Sequence, residues 1–288
     1  MEDLELTTTF DYIVLPGNWE IENKSPFINI DSSGAEVSYT DPDDNKAIII
    51  RANNPIPLEC GIFYFEIKVI DKGKNGARIY GKEENGLWGC SYHGDDGYSF
   101  YFGSGELYGP TYTTGDIIGC YLNFIKRIVF YTKNGVNLGI ACHLPDDLKG
   151  IIYPCVGFRS QGGSVKVNFG RETFKYSEEV HFIASRNGNI IVNLVGELTK
   201  SLEKKQNIQG HIFFLMGEFD KALDTLTKLL ETEPDNIKAL RYRGEIYYMM
   251  KKYNESIADL KKLLEIKPGD EWATKAYELV ETFRCDDE

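Results

Sequence analysis

A chain of 288 residues, 42% of them apolar, can bury two cores of ordinary domain size, which excludes global disorder. Its formal charge of −12 argues against nucleic acid, since phosphate binding needs net basic patches that release counterions. No apolar run approaches the ~20 residues of a membrane span, and Glu2, Asp3, Glu5 and Asp11 occupy the place of a signal peptide's basic and apolar regions. The expected setting is intracellular, in the cytoplasm or the nucleus.

Residues 1–15 are acidic and Thr-rich, without a period, and read as a lead-in. Pro16-Gly17-Asn18 marks a turn before Trp19. Short alternating runs then follow at 27–30, 36–39 and 47–51, separated by Asp31-Ser32-Ser33-Gly34 and by Asp41-Pro42-Asp43-Asp44-Asn45. The strongest strand of the first half is 61–70, dense in aromatic and β-branched residues and stopped by Asp71-Lys72-Gly73. The run Tyr92-His93-Gly94-Asp95-Asp96-Gly97 is flanked by apolar alternation and reads as a demanding turn inside a sheet. Further strands are expected at 117–124, 128–133, 136–141, 152–158 and 165–169. Asn134-Gly135 joins two of them as a type I′ hairpin, which needs positive φ at both positions. Many short strands with no helical period between them make an antiparallel sandwich.

The six cysteines (Cys60, Cys90, Cys120, Cys142, Cys155 and Cys285) lack C-x-x-C spacing and mostly fall in apolar strands, as free buried thiols do. From about residue 197 the period becomes helical. Gly210 and Gly244, Phe219 and Tyr253, and Pro234 and Pro268 are each 34 apart (244 − 210, 253 − 219, 268 − 234). That period, with Gly, an aromatic and a closing Pro, is the tetratricopeptide signature. Two repeats, 203–236 and 237–270, and a capping helix over 271–284 form an array spanning 197–288, reached through a connector at 173–196. Asp235 and Asp270 stand where N-caps belong. So short an array should gain burial by packing on the sandwich, through an extra helix near 190–202, or by self-association.

Several blocks of the first half resemble the SPRY domain of RanBPM-type (Ran-binding-protein-like) scaffolds. They are Asn53-Asn54-Pro55-Ile56-Pro57-Leu58-Glu59-Cys60-Gly61, Tyr92-His93-Gly94-Asp95-Asp96-Gly97, Tyr108-Gly109-Pro110 with Thr113-Thr114-Gly115-Asp116, Phe130-Tyr131-Thr132-Lys133-Asn134-Gly135, and Tyr153-Pro154-Cys155-Val156-Gly157. The resemblance covers residues 16–172 and implies a multidomain chain: an all-β, concanavalin-like SPRY sandwich followed by an all-α helical array. It implies non-catalytic capture of a peptide by loops: Arg51, Asn53, Asn54 and Pro55, the hairpin at Gln161 and Gly162, and Tyr92. Between Gly73 and Tyr92 the chain is shorter than the family pattern, so a sheet strand and the loop after it are expected to be cut back.

Asp95-Asp96 is poorly placed for shared acid–base work, because strand neighbours point to opposite faces and the flanking glycines mark a turn. The four histidines are dispersed, no G-x-S-x-G elbow accompanies them, and Gly103-Ser104-Gly105 lacks the helix and Lys of a phosphate loop. The expectation is therefore no catalytic residue, no metal and no cofactor. In the repeats, Asn207, His211, Lys238, Arg241, Glu245 and Tyr248 would line the inner groove; Trp272 and Ala276 stand where a carboxylate clamp would need cations. The chain reads as an adaptor whose partners are proteins or peptides, the sandwich binding one and the array a second. A ubiquitin-ligase substrate receptor is the alternative in the same class, and a lectin-like carbohydrate binder the alternative outside it.

Overall fold

The computed structural model describes residues 14–40, 47–58, 60–74, 77–83, 89–101, 103–146, 148, 151–159, 161–176, 183–184, 209–210, 213–214 and 217–286. The larger sheet has the order β1-β2-β13-β4-β9-β10-β11, with β14 also paired to β4. Its strands are β1 Ile28–Ile30, β2 Glu36–Tyr39, β4 Cys60–Asp71, β9 Ile117–Asn123, β10 Ile128–Lys133, β11 Val136–His143, β13 Ser164–Asn168 and β14 Ile183–Ala184. The smaller sheet runs β3-β12-β5-β6-β7-β8. It comprises β3 Ile48–Arg51, β5 Ala77–Glu83, β6 Gly89–His93, β7 Tyr98–Tyr101, β8 Ser104–Leu107 and β12 Ile152–Phe158. All pairings are antiparallel, as the alternation predicts. Among the described residues four helices follow: α1 Phe219–Thr232, α2 Ile237–Met249, α3 Tyr253–Ile266 and α4 Glu271–Asp286. Helical backbone at 209–210 and 213–214 precedes α1. None of the described helices is long and apolar enough to cross a membrane.

The shortened segment after Gly73 has not cost the sheet a strand. β5 pairs along its whole length with β12 and over five residues with β6. The inter-sheet core takes alternate residues: Phe63, Phe65 and Ile67 from β4, Cys90 and Tyr92 from β6, Ile79 from β5 and Val156 from β12. The other residues of β4 and its neighbours form a second core. Ile62, Tyr64, Tyr121, Ile128 and Phe130 on the outer face of the larger sheet pack against Phe214, Ala222, Leu226, Leu229 and Ala239 of the helical half. The middle of the larger sheet, β4, β9 and β10, is thus buried on both faces, and every residue of β9 is buried. This is why runs such as Ile62-Phe63-Tyr64-Phe65 contain no polar alternate. Of the expected ways for the array to gain burial, packing on the sandwich is seen, and the extra helix expected near 190–202 lies outside the described residues.

Glu66 fastens the chain where it leaves the sandwich. Buried on the outer face at 5% exposure, its carboxylate accepts the Tyr64 hydroxyl and the backbone N–H groups of Lys175 and Tyr176, each at 2.9 Å. Phe174 beside these residues stacks edge-on against Tyr64. Glu66→Ala removes three charge-assisted bonds at once and is expected to lower stability by about 2–3 kcal/mol, read as a drop in the urea midpoint. An unchanged midpoint would mean that the connector is held elsewhere.

Helix ends follow the sequence logic with one shift. Asp270 Oδ1 accepts the N–H of Ala273 at 2.9 Å at the start of α4, as an N-cap does. Burial alone would raise its carboxyl, but that N–H and the Lys267 and Arg241 cations hold it below its ordinary value. At the start of α2 the cap is Asn236 rather than Asp235: its side chain accepts from Ala239 N–H at 3.0 Å. Asp235 instead lies on the surface, 3.1 Å from Lys262.

Candidate functional site

Tyr92 is not a surface residue. It is 0% exposed, its ring packed among Tyr108, Tyr112 and Tyr131 with centroids 5.0–5.6 Å away. Its hydroxyl donates to Pro110 O, and its own carbonyl accepts the Tyr112 hydroxyl. Burial first, then the charge of Asp116, push its phenol above the usual range, so it stays a protonated donor. The turn after it depends on Gly97, whose φ is +77°. Its N–H bonds to His93 O and its carbonyl receives the N–H groups of Tyr108 and Gly109. A Cβ there would lie 2.1 Å from Gly109 O, so no other residue fits.

His93, Asp95 and Asp96 bring three metal-type ligand atoms within 4.8 Å of one another. Their chemistry, however, is that of a turn held by its own side chains. Asp96 Oδ1 accepts the N–H of Tyr98 at 3.0 Å, His93 Nε2 lies 3.1 Å from Ser91 Oγ, and the imidazole stacks on Phe100 at 4.2 Å.

The expected loop site is divided. Asn53 Oδ1 accepts the N–H groups of Gly17 and Asn18, and Asn54 Nδ2 donates to Leu15 O, so both amides brace the lead-in instead of waiting for a ligand. Arg51 stacks over the Tyr153 ring at 4.3 Å and lies 3.9 Å from Glu20, with 35% of its side chain exposed. Pro55 follows, half-buried. Gln161 and Gly162 are exposed, but at the other end of the β3–β12 pair. Arg51 is opposite Cys155 and Ile48 opposite Phe158, and the hairpin beyond Phe158 bonds to Tyr39. Arg51 and the 161–162 turn thus lie beyond opposite ends of the paired stretch of β3 and β12.

Arg51 belongs to a different constellation, the outer face of the smaller sheet. Register puts Arg51, Cys155, Ser91, Phe100 and Gly105 in one row across it. Ile49, His93 and Leu107 are on the same face, with Tyr98 opposite Leu107. Ile49 is 45% exposed at the β3 edge, and Tyr98 and Leu107 are 38% and 68% exposed at the β7–β8 edge, while Cys155, Ser91 and His93 between them are buried. Sequence reasoning missed this face, although period-2 alternation in Cys90-Ser91-Tyr92-His93 separates its members from the core.

Arg241, Glu245 and Tyr248 of the expected groove set follow one another at helical spacing on α2, and the groove beside them is filled. The β10–β11 hairpin enters it. Its tip adopts the predicted turn, with φ +51° at Asn134 and +81° at Gly135. Trp272 Nε1–H donates to Gly135 O at 2.9 Å, Arg241 reaches the same oxygen at 3.5 Å, and the Tyr248 hydroxyl donates to Leu138 O at 3.3 Å. Val136 sits among Tyr248, Ile257, Leu260, Ala276 and Val280. Arg241 stacks on Trp272 at 4.1 Å and pairs with Glu245 at 3.4 Å. Arg241 and Tyr248 are therefore corrected from contacts for a second protein to contacts for the sandwich, and Glu245 pairs with Arg241 beside them. Lys238 is exposed one turn before them, and Asn207 and His211 lie outside the described residues. A cleft of about 460 Å³ remains beside the hairpin, toward Lys275, Glu278 and Thr282 of α4. On its sandwich wall the Asp116 carboxylate already receives Thr113 N–H, the Asn134 amide and the Lys133 ammonium. Burial would raise this carboxyl, but those three donors hold it below its usual range.

Family models match two parts of the chain: the SPRY domain over residues 63–172 and the tetratricopeptide repeat over residues 213–276. The chain joins a SPRY domain to tetratricopeptide repeats. Among curated relatives, the Ran-binding proteins 9/10 homolog of Drosophila melanogaster is 37% identical over 211 residues, covering 69% of this chain and 22% of the relative. Ran-binding protein 9 of Homo sapiens is 41% identical over 180 residues, 57% of this chain and 24% of the relative. The chain thus spans less than a third of the length of these relatives. A solved human SPRY domain is 26% identical with a TM-score of 0.42, covering 51% of this chain and 97% of that one. The SPRY domain supplies the Arg51–Tyr153 corner at the β3 edge, and the repeats supply the groove closed by that domain's hairpin.

Proposed function

We propose that the chain is a non-enzymatic adaptor of the cytoplasm or nucleus, and that its SPRY domain captures a short segment of another protein at the corner formed by Arg51, Tyr153 and Pro55. The observation that carries this reading is what remains open. The outer face of β4, β9 and β10 lies under the helices and the groove of the repeats holds the hairpin, whereas the smaller sheet keeps an arginine–aromatic corner beside the exposed Ile49 of its edge strand β3. Such a corner suits an extended peptide bearing a carboxylate. The Arg51 guanidinium, already aligned on Tyr153, can fork onto that carboxylate, and the flat rings add area at low entropic cost.

The test is a random peptide library displayed against the full chain, with the recovered sequences measured by fluorescence polarisation. Arg51→Ala is expected to weaken them about tenfold, the equivalent of ~1.4 kcal/mol, while Lys166→Ala on the opposite sheet leaves them unchanged. Equal binding to both variants would remove this corner from the reading. Recovery of no peptide, together with competable glycan binding, would replace it with carbohydrate recognition.

A further inference from the structure

We infer that the groove of the repeats is a receptor for a β-turn tip and that the chain closes it with its own hairpin, so that no outside protein engages the groove while the hairpin is seated. The contacts are those of a ligand in a site. Two donors, Trp272 Nε1–H and Arg241, converge on one main-chain oxygen of the turn, and the Tyr248 hydroxyl takes a second, three residues on. Between these two carbonyls Val136 is 6% exposed in the apolar wall of α2, α3 and α4. The void left around it is about 10 Å³, at the margin of holding a single water.

The recognised chemistry is correspondingly narrow. The tip needs two positive-φ residues, then a side chain of valine size, then an extended stretch whose carbonyl meets Tyr248. The hairpin satisfies this as Asn134-Gly135-Val136-Asn137-Leu138. It is separated from its receptor residues by 106 to 137 positions in sequence, yet it belongs to a folded domain docked on the same helices. A second contact, Lys126 to Glu218 at 2.7 Å, ties the sandwich to the other end of the array. A tethered ligand acts at an effective concentration of about millimolar order. A free partner at micromolar concentration therefore loses the competition unless it binds far more tightly than the hairpin.

The probe is a cyclised, fluorescein-labelled peptide reproducing residues 128–143, added to the full chain and followed by fluorescence polarisation. Val136→Asp places a carboxylate in the apolar wall and should unseat the hairpin. The inter-sheet core stays intact, because Val136 has no place in it. The Val136→Asp chain is expected to bind the peptide at least 30-fold more tightly than the wild-type chain, and a peptide carrying the same Val136→Asp change should bind neither. Equal binding to both chains, or none to a Val136→Asp chain that still melts cooperatively, overturns the inference. Should that variant fail to fold, Trp272→Ala gives an independent reading by hydrogen exchange. Amides 134–138 are expected to exchange at least tenfold faster than in the wild type, and unchanged protection overturns the inference. Light scattering settles the donor. A monomeric wild-type chain is expected, and a dimer exchanging hairpins would make a second copy the occupant and overturn closure in cis.

Discussion

Tyr92→Ala is expected to lower the stability of the SPRY domain by about 3–5 kcal/mol, the cost of emptying a core site of aromatic size. The ring is 0% exposed and touches three other tyrosines, so their packing cannot close over the gap without moving the segment 108–112. The hydroxyl adds a smaller contribution. Tyr92→Phe keeps the packing and gives up the bond to Pro110 O, so it should cost only about 1 kcal/mol. Urea unfolding followed by far-UV circular dichroism separates the two variants. Tyr92→Ala within 1 kcal/mol of the wild type would contradict a core role and return this residue to the surface.

The second large effect lies in the repeats. Arg243 forks onto Asp259 with Nε–Oδ2 2.8 Å and NH2–Oδ1 2.7 Å, and its remaining nitrogen donates to Thr227 Oγ1 at 3.2 Å, linking α1, α2 and α3. Asp259 is 5% exposed. Arg243→Ala leaves that carboxylate buried without its cation and is expected to cost about 3–5 kcal/mol at neutral pH. The pH dependence identifies the cause. Burial already raises the Asp259 carboxyl above its ordinary value, and the Arg243 hydrogen bond and charge only partly offset this. Removing Arg243 raises it further. A carboxyl whose folded pKa exceeds its unfolded one destabilises the fold above that pKa, and the penalty is relieved as pH falls and the group binds its proton. The deficit of Arg243→Ala relative to the wild type should therefore shrink between pH 7 and pH 4.5, measured as the difference in urea midpoint. A deficit constant across that range would mean that lost packing, not the stranded charge, is responsible.

Much of this architecture could be read from spacing. Alternation located most strands of the larger sheet and β3 and β12 of the smaller, Asn134-Gly135 announced its turn type, and the 34-residue offsets identified the helix pairs, whereas β5, β8 and β14 were not expected from the sequence. These features are written locally, in residues that are neighbours along the chain. The site was less legible because it depends on what lies across the fold. Asn53 and Asn54 carry amides suited to a peptide, yet those amides are spent on Leu15 to Asn18, some 35 to 39 positions earlier. Arg241 and Tyr248 face the groove as the repeat requires, but nothing near them in sequence indicates that a hairpin more than 100 positions away occupies it. Tyr92, expected among the binding loops, is a core residue, and its alternation with Ser91 and His93, which sets it on the face of Cys90, was the local signal for that.

The docking of the repeats also bears on solubility. Among the described residues β11 is the outermost strand of the larger sheet, a row of backbone donors and acceptors with no described strand beyond it. Exposed edges of this kind template pairing between chains. Here Trp272, Arg241 and Tyr248 consume carbonyls at Gly135 and Leu138, and the surrounding helices obstruct the approach of another strand along that stretch. The repeats thereby act as a guard on the sheet's margin. A sandwich produced without them would present a hairpin bearing Val136 and Leu138 to its neighbours, and would be expected to associate edge to edge as its concentration rises.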